Sequence, residues 1–117
     1  MRHGKVKFHL ARPTDQRIAL MRSLARSLFE HKKIVTTIKR AKAASRMVDR
    51  AISLAKRGDL TSKRRLISLL PDKKTYQNVM AWSVKVGTRQ SGFTRVIPMP
   101  ARRGDNAAMA IFEMVDA

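Results

Sequence analysis

The chain has 117 residues, enough for one domain with a modest core, and sets 26 Lys and Arg against 8 Asp and Glu, for a formal net charge of +18. A hydrophobic content of 44% excludes a plain basic tail, the lack of cysteine excludes disulfides and thiolate metal sites, and no apolar run is long enough to span a bilayer. Such self-repulsion is sustained where something negative neutralises it, and nucleic-acid phosphates, which release condensed counterions when Lys and Arg bind, are the polyanion that fits.

Residues 1–12 hold Arg2, His3, Lys5, Lys7, His9 and Arg12 and no acid. Val6, Phe8 and Leu10 alternate with polar neighbours, but the segment is short and terminal. It reads as an extended basic arm, mobile alone and ordered against a polyanion. The opening Met1-Arg2-His3-Gly4-Lys5 is followed by no apolar stretch, so it does not read as a signal peptide. Residues 13–117 read as a single globular domain.

Thr14 or Asp15, just after Pro13, reads as the N-cap of a first helix. Met21, Leu24, Ala25 and Leu28 recur at the spacing of a buried stripe, with Arg22 and Arg26 one turn apart on another face. The pattern predicts about four turns, ending near residues 30–33. Ile34-Val35-Thr36-Thr37 is β-branched and reads as a short strand. A second helix starts near Ile38. Its apolar side is Ala41, Ala44, Met47 or Val48, Ala51 and Ala55, its cations are Lys39, Lys42, Arg46, Arg50 and Lys56, and Gly58 stops it.

A third, shorter helix opens at Asp59-Leu60-Thr61, carries Lys63-Arg64-Arg65 before an apolar run, and ends at Pro71. A fourth, over about residues 73–86, presents Tyr76, Val79, Met80 and Trp82 or Ser83, and Gly87 closes it. After a loop at residues 88–92, Phe93-Thr94-Arg95-Val96-Ile97 reads as a strand stopped by Pro98 and Pro100. Residues 101–106 are a basic turn, and residues 108–115 form the last strand. The last two strands predict an antiparallel hairpin that the first strand joins. The fold expected is α+β: about four helices packed on a small three-stranded mixed or antiparallel sheet, with an extended basic N-terminal arm.

Asp15, Asp59 and Asp72 fall at helix starts, where the helix dipole favours them. The acids do not gather into a site. His3, His9 and His31 have no metal-ligand spacing, and there is neither a phosphate-cradling Gly-rich loop nor a nucleophile elbow. The reading is a non-enzyme with no cofactor, no metal and no small-molecule substrate. Trp82 and Tyr76 sit on an apolar helix and read as core.

A sequence-reading DNA-binding protein concentrates its cations around one recognition helix. A membrane-surface helix divides into one basic and one apolar face. Here the cations occur on the arm, the helices and the loops, which fits RNA recognised by backbone and shape. The candidate contacts are Arg2, His3, Lys5, Lys7 and Arg12 in the arm, and Arg17, Arg22, Arg26, Lys39, Lys42, Arg95, Arg102 and Arg103 in the body. Arg102 and Arg103 flank a turn glycine, where backbone N–H groups and side chains both reach phosphate. Arg95, on a strand, has a second reading: it faces inward and pairs with Glu113. The rival functions are a nucleoid-type DNA-binding protein and an interaction module whose charge serves solubility.

Several segments, in order, resemble the bacterial large-subunit ribosomal protein L17 family. They are Met1-Arg2-His3-Gly4-Lys5, Ala19-Leu20-Met21-Arg22-Ser23-Leu24, Thr36-Thr37 with Ala41-Lys42, and Ile52-Ser53-Leu54-Ala55-Lys56-Arg57-Gly58-Asp59-Leu60. Gly92-Phe93-Thr94-Arg95-Val96, Arg102-Arg103-Gly104-Asp105-Asn106-Ala107 and Met109-Ala110 continue the set. The chain departs from the family pattern at Gln16-Arg17, where His-Arg is frequent, at Ala43, where Glu is usual, and at Ala108, where Pro is usual. The resemblance implies a cytoplasmic, ribosome-associated structural component of the 50S subunit. Its partners would be large-subunit rRNA and neighbouring ribosomal proteins, on the solvent side near the tunnel exit, with no membrane.

Overall fold

The computed structural model describes residues 9–115. Arg2, His3, Lys5 and Lys7 lie outside them. Residues 9–12 make a turn in which the Arg12 N–H donates to the His9 carbonyl at 3.2 Å. Leu10 packs against the core.

Helix α1 runs Thr14–His31, about five turns rather than four. Its N-cap is Pro13, not Thr14 or Asp15, and no side chain caps it. The fixed φ of proline already suits the entry to a helix, and the Asp15 carboxylate instead accepts from the adjacent Gln16 N–H at 2.9 Å. Met21, Ala25, Leu28 and Phe29 form the buried stripe. Lys32, left-handed at φ 66°, turns the chain into strand β1, Lys33–Thr37.

Helix α2, Ile38–Arg57, is the centre of the molecule and packs against α1, the two later helices and the sheet. Ala41, Ala44, Val48, Ala51, Ile52 and Ala55 are buried on it. The small side chains let its neighbours approach closely, while Val48 and Ile52 fill the remaining space. Gly58, at φ 71°, takes the left-handed position that stops it. Helices α3, Leu60–Leu69, and α4, Lys73–Val86, begin at side-chain caps. Asp59 accepts from the Ser62 N–H at 3.1 Å. Asp72 accepts from the Thr75 N–H at 3.3 Å and from its hydroxyl at 2.8 Å.

Strands β2, Thr94–Met99, and β3, Met109–Met114, complete a three-stranded sheet of order β1-β3-β2. Both pairings are antiparallel, which removes the mixed alternative. Strand β2 also continues through Pro98, which sits opposite Ala110, instead of stopping there. It is an edge strand, and an edge tolerates a residue with no N–H to donate. Central β3 alternates: Ala110, Phe112 and Met114 are buried, while Met109, Ile111 and Glu113 are only partly covered. Phe112, Phe93, Leu28, Ile52 and Val79 belong to one buried core cluster. Full burial of each such side chain contributes about 2 kcal/mol. Trp82 is core, and Tyr76 is half-buried against it.

Candidate nucleic-acid interface

Some expected contacts are already engaged within the fold. Arg12 Nη1 donates to the Leu10 carbonyl at 3.0 Å, and Arg17 Nη2 to the Thr14 hydroxyl at 3.4 Å. Arg22 has a structural task. Its Nε donates to the Leu69 carbonyl at 2.9 Å and its Nη2 to the Ser68 carbonyl at 3.1 Å, so it caps the carbonyl end of α3 from α1. Arg26 lies beside Asp72, whose carboxyl is held below its usual range by the Thr75 hydroxyl first and by Arg26 and Lys74 to a smaller extent.

Arg95 follows its second reading in part. It stands directly opposite Glu113 in the sheet, and its Nε lies 2.8 Å from Glu113 Oε1. The side chain is still half exposed, so the guanidinium is paired on one edge and open on the other.

Arg102 is bound within its own turn. Nη2 lies 2.6 Å from Asp105 Oδ2 and Nε 3.2 Å from Oδ1, a two-bond fork. Asp105 Oδ1 also accepts from the Ala107 N–H at 3.2 Å. The guanidinium first and that backbone bond second hold the Asp105 carboxyl down at about 2. Positive φ at Gly104 and Asn106 lets the chain reverse. Arg103 is exposed on this braced turn and makes no ion pair or hydrogen bond to a described residue.

Lys39 and Lys42 are exposed in the first turns of α2, where there is no acid. Cations are disfavoured at the positive end of a helix dipole. Intramolecular packing does not explain them there, and a polyanion would. Elsewhere the fold absorbs cations: Lys74 reaches Glu30 at 3.7 Å, Lys56 donates to the Arg89 carbonyl, and Lys32 and Lys85 each hold their ammonium 5.7 Å from the Trp82 ring centre.

One cationic concavity was not among the expected contacts. A groove of about 740 Å³ between α1, α2 and α3 is lined by Arg22, Arg50, Arg57 and Arg65, over Ile18, Met47, Leu54 and Leu69. Of these arginines only Arg22 was among the expected contacts, although Arg50 and Arg65 were read as helix cations. The signal was present: Arg50, Ser53, Leu54 and Arg57 recur at i, i+3, i+4, i+7, and Arg65, Ser68 and Leu69 at i, i+3, i+4.

Among the described residues no cluster of His, Asp or Glu is arranged to hold a metal, and no helix is long and apolar enough to cross a membrane. The family model for ribosomal protein L17 matches residues 20–115, from within α1 through the end of β3. The large ribosomal subunit protein bL17 of Hydrogenobaculum sp. is 44% identical over 118 residues, covering 99% of this chain and all of the relative. The protein of the same name from Syntrophotalea carbinolica is 41% identical, covering 99% of this chain and 76% of the relative. That from Bdellovibrio bacteriovorus is 44% identical over 97% of this chain and 64% of the relative. With the family match spanning most of α1, the other three helices and the whole sheet, the chain belongs to the ribosomal protein L17 family, whose members are structural proteins rather than enzymes.

Proposed function

We propose that this protein is a structural constituent of the bacterial large ribosomal subunit, acting in the cytoplasm, and that it binds and stabilises large-subunit rRNA. The globular part, residues 13–117, supplies a rigid shape. Residues 1–12 supply a basic arm, with Arg2, His3, Lys5, Lys7 and Arg12 against phosphates. Lys39, Lys42, Arg17, Arg26 and Arg103 add phosphate contacts from the body. Arg22, Arg95 and Arg102 contribute the donors left over from their intramolecular bonds, since a guanidinium has five. Where rRNA helices converge, these cations reduce phosphate repulsion and release counterions. Neighbouring large-subunit proteins are the other partners.

The observation that carries this reading is the cation excess left standing by the fold. Exposed Lys39 and Lys42 load the positive end of α2 with no acid in its first turn. The experiment is a sucrose gradient of ribosomes washed in high salt and split at low magnesium. Stoichiometric recovery in the large-subunit peak is expected. Recovery at the top of the gradient, or with chromosomal DNA, would overturn the reading and favour a DNA-binding protein.

A further inference from the structure

We propose that the groove between α1, α2 and α3 is a binding site for one unpaired strand of RNA, with phosphates on Arg50, Arg57 and Arg65 and a base on the apolar floor. The inference rests on the RNA-binding reading above and adds a site to it.

An arginine comes from each of three helices, and among the described residues no acid lines the groove. Neither Arg50 nor Arg65 makes an ion pair or hydrogen bond to a described residue. Arg57 has only a minor through-space influence on Asp59, whose carboxyl is held down chiefly by Ser62. Gathering guanidinium groups without an acid costs repulsion, which a bound anion reverses. The planar fork of arginine suits phosphate oxygens in particular.

Arg22 prepares the site without being spent on it. The carbonyl end of α3 borders the groove and carries the negative end of its dipole. Arg22 donates to the Ser68 and Leu69 carbonyls there, so that end does not repel a phosphate.

The floor decides between paired and unpaired RNA. Ile18 is 40% exposed although it is a large aliphatic side chain, and it lines the groove with Met47, Leu54 and Leu69. Duplex RNA presents phosphates and 2′-hydroxyls and would leave this apolar surface wet. A splayed nucleotide presents a base face that covers it, and arginine planes stack on bases as well. At about 740 Å³ the groove is within the size range of small-ligand clefts, which is ample for a nucleotide.

The chain has no cysteine, so a single introduced one is a unique label site. Ser53 on α2 and Ser68 on α3 are exposed residues lining the groove. Ser53→Cys and Ser68→Cys proteins, each carrying an iron chelate, would be assembled into large subunits and used to generate hydroxyl radicals. The expected result is cleavage of one shared, short, unpaired rRNA stretch from both positions. Adding R50Q and R65Q should reduce that cleavage several-fold while the protein still enters the subunit. In parallel, affinity for a fluorescein-labelled U-rich single strand would be measured against salt. The R50Q/R65Q protein should lose about 1.4 from the slope, two phosphates at ~0.7 each. Entry into the subunit with no rRNA cut from either position, cuts confined to continuous duplex, cleavage of a neighbouring protein in place of RNA, or an unchanged slope would each overturn the site. If the unsubstituted chain does not enter the subunit, the ribosomal reading fails first and the site fails with it.

Discussion

The turn at residues 102–106 and the groove between α1, α2 and α3 are both rich in arginine, but the fold treats them oppositely. In the turn, Asp105 takes two donors on one edge of the Arg102 guanidinium and a backbone N–H as well, so one of the two cations becomes a brace. In the groove, Arg22 braces α3 through carbonyl oxygens, and among the described residues no acid is in the lining beside the other arginines. A brace against a carboxylate cancels charge, whereas a brace against helix carbonyls keeps it. The groove therefore retains nearly all of its positive charge, and the turn retains about half of its own.

The largest effect expected from breaking this contrast is Arg22→Ala. It removes two charged hydrogen bonds to part-buried or exposed carbonyls and should cost about 2 kcal/mol of stability, read by urea unfolding. The carbonyl end of α3 should fray, with faster amide exchange at Leu69 and Leu70 than at Val48 in the core. A loss spread evenly over the molecule would mean that Arg22 acts through packing and not as a cap. The next effect separates the turn's two arginines. Arg103→Gln should lower the salt slope of RNA binding by about one unit and leave the unfolding midpoint where it was. Arg102→Gln should do the reverse, disordering the turn, with the slope moved by less. If both variants lower the slope equally, the Asp105 fork opens when RNA binds.

Much of this architecture was legible in the residues because it depends on local periodicity. The alanines of α2, the caps at Asp59 and Asp72, and the stop at Gly58 each involve neighbours within one turn of helix. The Arg95–Glu113 pair was legible too, since a hairpin sets its partners by register. Strand β2 was read too short because Pro98 is acceptable only at a sheet edge, and the edge position is a tertiary property. Pro13 displaced Thr14 and Asp15 as N-cap because its ring already fixes the entry angle. The groove shows the same limit. The faces of α2 and α3 were in the spacing, but which faces meet was not, and the Arg22 bonds close over 46 and 47 residues of sequence. Long-range assembly decides which cations face one another, and periodicity has nothing to say about it.

The smallest effect expected is a difference in acid response between the two regions. The Arg102 guanidinium holds the Asp105 carboxyl at about 2, below its ordinary value of 3.8. A carboxyl depressed in this way contributes stability that is present above pH ~4 and lost as pH falls through about 2. Over that window Asp105 protonates, the Arg102 fork opens, and the Ala107 N–H loses its acceptor. Among the described residues the groove has no acid in its lining, so its amides at Ser53 and Ser68 should not follow the same curve. Asp49 moves in the opposite sense. Half-burial raises its carboxyl, against the Thr94 hydroxyl bond that lowers it. Protonation in acid therefore removes the desolvation cost of the Asp49 charge at the α2–β2 junction while it loosens the turn. An NMR titration from pH 5 to pH 2 would follow Ala107 against Ser53, Ser68 and Thr94. A midpoint for Ala107 near 2 means that the brace holds in solution and leaves Arg103 as the turn's open cation. A midpoint near 3.8 means that Asp105 is unpaired, that Arg102 is as free as the arginines of the groove, and that the two regions do not differ as drawn.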